Sequence, residues 1–194
     1  MKLPLALFAI ALAACATTPN DASTAPGATA EPTAMLPPDS NRIDEASAPT
    51  PFSAAEIQGA CPTGATRTFR LTMGDKTVTQ SMTFRDADAL GTYVEGAVTG
   101  PNGVEINHSI SAKITWAELQ GHASFPRETT TITRRSAVVT AGSFDCWHYQ
   151  TEDAAGLVSE YDFAIALPGP PIHMTMHRGG TLVQSMELLD WGPR

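Results

Sequence analysis

Leu157-Val158-Ser159-Glu160-Tyr161-Asp162-Phe163-Ala164-Ile165-Ala166-Leu167 is the stretch that decides the fold class. Its apolar residues Leu157, Tyr161, Phe163, Ile165 and Leu167 keep one parity, broken only by Ser159. A second stretch behaves alike: Val104, Ile106, His108, Ile110, Ala112, Ile114 and Trp116 alternate without a break. A period of two puts these residues on one face of a pleated strand, whereas helical spacing would scatter them around a cylinder. Both stretches therefore read as strands, the second running from about Val104 to Trp116.

Working outward, turn signals divide the rest. Gly74-Asp75 reads as a two-residue hairpin between strands at Thr66–Met73 and Lys76–Phe84. Gly100-Pro101-Asn102-Gly103 joins Tyr93–Thr99 to the long strand, and Pro168-Gly169-Pro170-Pro171 and Gly179-Gly180 mark later turns. Further strands fall at about Thr129–Thr140, Phe144–Gln150, Ile172–His177 and Leu182–Leu189. Helix is confined to short pieces. Ser53 as N-cap with Glu56 completing a capping box predicts one over Ser53–Gln58, and Asp86 and Asp88 cap a short turn before Gly91. The fold class is all-β: one curved antiparallel sheet, barrel or half-barrel of about 8–9 strands with one or two short helices.

The N-terminal third has a different texture. Lys2 precedes an apolar run from Leu3 to Ala14, about 12 residues where a spanning helix needs about 20. It reads as the core of a secretory signal. The run ends in Leu12-Ala13-Ala14-Cys15, which resembles the lipobox of bacterial lipoproteins. That resemblance implies cleavage before Cys15, lipid on the Cys15 sulfur and an acylated amine, hence a membrane partner through the anchor and an envelope location. An ordinary secretory cleavage at Ala14-Cys15-Ala16 is the alternative. Ala16 after the cysteine is similar to the outer-membrane sorting pattern of enteric bacteria, which implies an outer-membrane anchor facing the periplasm. Residues 1–14 are thus a signal peptide and 15–52 a lipidated, disordered tether. Seven of the chain's fifteen prolines lie between Pro19 and Pro51, among Ala, Thr and Ser, a composition that cannot bury enough surface to offset its ordering entropy. Residues 53–194 form the β-rich domain, a length that suits one core.

Charge narrows the partners. Lys and Arg number 12 against 20 Asp and Glu, a net −8. Phosphate backbones repel such a chain, so nucleic acid is excluded as a partner. Once Lys2 leaves with the signal peptide, the net charge is −9, and the body should stand off anionic lipid rather than lie on it.

Ala141-Gly142-Ser143-Phe144-Asp145-Cys146-Trp147-His148-Tyr149, followed by Tyr161-Asp162-Phe163-Ala164 and Leu167-Pro168-Gly169-Pro170-Pro171, resembles a pattern of bacterial envelope domains. Those are similar to the half-barrel superfamily that includes the lipoprotein-localisation carriers. The resemblance implies a curved sheet with a hydrophobic concave face. The carriers' long helices across that face are not evident in this sequence.

Chemistry is sparse. G-x-S-x-G, S-x-x-K, H-E-x-x-H, the P-loop and C-x-x-C are all missing, so no catalytic residue is named, and no cofactor or metal is expected. Asp86-Ala87-Asp88-Ala89-Leu90-Gly91 has Leu90 where a calcium loop needs oxygen, and Ala97 where the closing Glu belongs. His173 and His177 share a strand face but lie about 13 Å apart, too far for one ion. Cys146 and His148 also share a face, with no third ligand to name. With Cys15 lipidated, Cys61 and Cys146 remain as an even pair in an oxidising compartment, and a disulfide between them is expected. Free thiols, or a metal ligand at Cys146, are the alternatives.

The reading is a non-enzymatic binding module for a hydrophobic small molecule or an envelope component. Met73, Met82, Met174, Met176 and Met186, with Trp116, would make an adaptable apolar lining. The alternatives are an assembly lipoprotein with a solid core and a protein partner, and a hydrolase whose active site follows no motif.

Overall fold

The computed structural model describes residues 36–193; the signal segment, Cys15 and most of the tether lie outside them. Ten strands form one antiparallel sheet that does not close. In chain order they are β1 (Ala65–Met73), β2 (Lys76–Arg85), β3 (Gly91–Thr99), β4 (Glu105–Ile110), β5 (Ile114–Thr115), β6 (Thr130–Val139), β7 (Gly142–Glu152), β8 (Leu157–Ala164), β9 (His173–Arg178) and β10 (Thr181–Pro193). The spatial order is β4-β3-β2-β1-β10-β9-β8-β7-β6, with β5 paired to β3. Every neighbour but one is joined by a local turn. The exception is β1 against β10, which brings the two ends of the domain together in register from Ala65↔Pro193 to Met73↔Gln184.

The all-β expectation holds, and the Gly74-Asp75 turn closes Met73 onto Lys76 as read, with Gly74 at φ +60°. The long strand over Val104–Trp116 does not form as one element. It is cut into β4 and β5, and Trp116 opens a helix, α2 (Trp116–Gly121). The physical cause is local: Thr115 accepts from the Glu118 backbone N–H, and the Glu118 carboxylate accepts from Thr115 N–H at 2.7 Å. A capping box outcompetes continued alternation because it satisfies amide groups that the chain would otherwise leave open. The same device begins α1 (Ala54–Ala60), where Ser53 and Glu56 reciprocate as the sequence predicts.

One sheet face carries the core. Tyr149, Tyr161, Phe163, Met174, Met186, Leu71 and Phe69 are buried there, by strand alternation and register. This inner face is covered by α1, α2 and the segments around Phe52 and Phe125, which contribute Ile57, Trp116, Phe52 and Phe125 to the same cluster. The folded body also begins earlier than the sequence suggests. Asn41, Ala48, Thr50 and Phe52, assigned by composition to the tether, are buried. Tyr149 Oη donates to Pro49 O at 2.7 Å, and Gln120 Nε2 donates to Asn41 O at 3.0 Å. Composition missed this because a proline-rich strap can be ordered by tertiary contacts without any regular secondary structure.

The sheet curls most strongly at its β6 end. Ala141 N donates to Leu188 O at 3.2 Å and Thr140 N to a Glu187 oxygen at 2.7 Å, so the end of β6 reaches back to β10. β4 is the opposite edge of the sheet.

Candidate functional site

The outer face is polar, as alternation on an antiparallel sheet requires. One row of it contains a buried charge. Asp162 on β8 sits between His148 on β7 and His173 on β9, directly across the ladder from each, and is 1% exposed. His148 Nδ1 lies 3.0 Å from Asp162 Oδ1, and His173 Nδ1 lies 3.2 Å from Oδ2. Arg135 on β6 closes the group, donating through Nε to Oδ1 and through Nη2 to Oδ2, both at 2.7 Å. Burial pushes the Asp162 carboxyl up, but the hydrogen bonds from His148, His173 and Arg135 outweigh it and hold it well below its ordinary value of 3.8.

The two imidazoles turn their Nδ1 atoms to the same carboxylate and leave both Nε2 atoms without a protein partner among the described residues. An aspartate that orients a histidine in this way is the arrangement behind both base catalysis and metal ligation. Among the described residues, no three His, Cys, Asp or Glu side chains are grouped to hold an ion. Cys146 shares the face, but it is fully buried and burial pushes its thiol up to about 12, so it is not a thiolate at neutral pH. What the cluster does physically is tie four adjacent strands at the curled end of the sheet through one carboxylate. Nothing in the sequence singles out Asp162, which shares the polar parity of its strand with Glu160. Arg134 and Arg135, neighbours on β6, bind Asp145 and Asp162 respectively.

The expected disulfide is absent. Cys61 and Cys146 are both free and both buried. Cys61 ends α1 on the inner face, where its Sγ donates to Pro168 O at 3.8 Å. Cys146 alternates with Trp147 and Tyr149 and so points to the outer face, where its Sγ donates to Phe144 O at 3.5 Å. An even cysteine count cannot reveal that a sheet stands between the two thiols. Burial pushes Cys61 up to about 11 as well, with nearby Arg67 pulling the other way. Both thiols should therefore resist alkylation in the native protein and react completely after denaturation without reductant. Mass analysis of the two samples checks this, and reductant should leave the melting temperature unchanged.

The methionines divide. Met174 and Met186 are buried, as is Trp116, whose indole N–H donates to Asp88 O at 2.8 Å. They fill the core. Met82 and Met176 are half-buried at its margin, and Met73 is 44% exposed. These six residues are not brought together around one cavity: Trp116 belongs to the α2 cover and Met73 to a hairpin tip. The two best-formed depressions lie elsewhere. One, about 180 Å³, is lined by Ser81, Thr83, Arg85, Glu95, Glu105 and His108, with Ala97. In it Glu95 accepts from Arg85 and pairs with His108 Nε2 at 2.9 Å. The other, about 440 Å³, lies against Thr129–Thr131, Glu128, Glu152 and Asp153. Both are open to the surface, and the first is the more polar of the two.

Arg67 is the second buried charge, 3% exposed on the inner face. Its Nη1 donates to Thr66 O at 2.8 Å and Nη2 to Ala60 O at 3.4 Å, while Nε finds no acceptor. No carboxylate among the described residues pairs with it, and burial lowers its proton affinity. A buried guanidinium without a carboxylate partner is costly to desolvate, and even buried ion pairs replaced whole by apolar residues often leave a protein as stable or more so, by up to about 4 kcal/mol. Arg67→Met, next to Met82 in the register, should therefore raise the melting temperature.

Comparison of the chain with protein-family models and with curated proteins finds no match.

Proposed function

We propose that this chain is a lipid-anchored envelope protein whose β-domain is a non-enzymatic module that binds another envelope component on its outside. The anchor half of the reading rests on Leu12-Ala13-Ala14-Cys15. The domain half rests on one observation: over β7 and β8 the inner sheet face is filled by the chain's own aromatic side chains. Phe125 stacks on Tyr161 at 4.8 Å, and Phe163 meets Phe52 and Tyr149 edge-on at 6.4 and 5.4 Å. A face packed this way has no room for an acyl chain without displacing its own aromatics, so recognition falls to the exposed surface.

Two measurements test it. Cys15→Ser should move the protein from the membrane fraction to the soluble one and abolish lipid labelling. Native mass spectrometry of the protein from its own envelope, freed of its anchor, should return the bare chain or the chain with a protein partner. A stoichiometric lipid that survives purification would overturn the domain half in favour of a hydrophobic ligand beside Met73, Met82 and Met176.

A further inference from the structure

The smaller of the two clefts is built by a break in strand alternation. It lies on the outer face across β2, β3 and β4, where Ser81 pairs with Ala97 and Ala97 with His108. Ala97 is the short side chain of that row, and between its longer neighbours it leaves a depression of about 180 Å³. The β4 side depends on a bulge. Val98 pairs with Asn107 but Thr99 with Glu105, so Ile106 is an extra residue. A regular strand would put Glu105 and His108, three positions apart, on opposite faces. Here both line the one cleft. Bulges re-aim side chains in this way beside functional sites.

The charges of the cleft do not cancel. Glu95 accepts from Arg85 and pairs with His108 Nε2 at 2.9 Å, so the Arg85 and Glu95 charges offset each other. The Glu105 carboxylate and the Ser81 and Thr83 hydroxyls, all at the cleft, have no hydrogen-bond or ion-pair partner among the described residues. In the tautomer that gives Nε2–H to Glu95, His108 Nδ1 is a further acceptor. What stays open is one negative charge beside two hydroxyls and a ring nitrogen, a set that accepts hydrogen bonds. An anion is repelled by Glu105. A hard divalent cation takes roughly six to eight oxygens, and among the described residues no three His, Cys, Asp or Glu side chains are grouped to hold one. A guanidinium spends its planar fork on one carboxylate edge and leaves the other acceptors unmet. A primary ammonium points its three donors in three directions and so serves several acceptors at once.

We propose that this cleft seats the ammonium group of a lysine side chain on a protein partner, with Glu105 as its counter-charge. Size favours a side chain over a whole ligand, since drug-sized molecules occupy pockets of about 300–1,000 Å³ and this cleft is smaller. The surface beside it suits a lysine stem. Val104 and Ile106, the chain neighbours of Glu105, are 56% and 60% exposed, and an aliphatic stem packs on apolar surface while its head stays among polar groups. Overall charge favours a basic partner too, because the chain carries a net −8. The contact rests on the preceding reading of a domain that binds on its outside, and it makes the bound envelope component a lysine-bearing protein.

Amide-resolved NMR of the full chain in detergent micelles tests the site, with N-acetyl-lysine amide as the probe. The signals of Ser81, Ala97, Glu105 and His108 should shift. N-acetyl-norleucine amide, which keeps the stem and lacks the ammonium, should shift none of them, and N-acetyl-arginine amide should bind more weakly than the lysine probe. Glu105→Gln should weaken the lysine probe about fivefold, the loss expected of an exposed charge pair. Ala97→Val leaves every charge in place and fills the depression, so it should abolish the shifts. Melting curves verify that both variants fold, and if Ala97→Val does not, Glu105→Gln decides alone. In the native envelope a carbodiimide, which condenses a carboxylate with an amine to an amide, should join Glu105 to a lysine of another protein. An excess of the lysine probe should suppress that link. Equal shifts with the norleucine or arginine amide, or shifts indifferent to Glu105→Gln, overturn the ammonium site; a protein that still accompanies the chain in native mass spectrometry then leaves the outside-binding reading standing. Absence of any Glu105–lysine link in the envelope rejects the partner whatever the probe does, and a link to an amino-lipid instead of a protein overturns the proposal as well.

Discussion

Asp162→Ala is expected to destabilise the domain by about 3–5 kcal/mol, the usual cost of removing one member of a buried charged group. The mutation leaves Arg135, His148 and His173 facing a cavity with no acceptor, at the point where four strands are held together. Asp162→Asn keeps the volume and loses the charge, so it isolates the electrostatic part. The same cluster sets a pH dependence. Because the folded carboxyl is held below its ordinary 3.8, its contribution is full above that value and is lost as pH falls through the folded value. Urea midpoints measured from pH 7 down to pH 2 should show the gap between wild type and Asp162→Asn narrowing below about pH 4. A gap that stays constant, or an Asp162→Ala variant as stable as wild type, would show that the carboxylate does not hold the curl.

Phe163→Ala should cost about 3–5 kcal/mol as well, through packing rather than charge. Phe163 is 2% exposed and touches three rings: Phe52 from the strap, Tyr149 from β7 and Tyr161 on its own strand. Its truncation opens a void between the sheet and the chain that covers it. Phe52→Ala should lose less than Phe163→Ala, since Phe52 sits on a segment free to settle into the space. Val138→Ala, 82% exposed on the β6 edge, is the control and should stay within about 0.5 kcal/mol of wild type. Denaturant midpoints on the four proteins check the order.

Much of the sheet was legible from local pattern. Strands β1, β2, β3 and β6 to β10 fall within a few residues of where parity and turn residues place them, because a half-buried antiparallel strand imposes a period of two on its own sequence. The Ser53 box was legible for the same reason: its partners are three residues apart. Thr115 and Glu118 are equally close, but the parity running through Trp116 masked them, and two local signals in conflict can be ranked only by knowing that the Trp116 indole N–H is held by Asp88 O.

What the sequence determined by itself is the class of fold, the phase of every strand but β4 and β5, the acidic composition and the lipobox-like segment that ends at Cys15. Each of these is written in neighbouring residues. Tertiary structure alone decided which strands became edges, which face each cysteine occupies, and that the strap from Asn41 to Phe52 is part of the body. It also decided that Asp162 meets Arg135, His148 and His173, residues 11 to 27 positions away. The physical reason is the same throughout. Parity and capping are enforced by bonds within a few residues, whereas burial and charge pairing depend on the order in which strands lie side by side, and that order is settled only when the whole sheet forms.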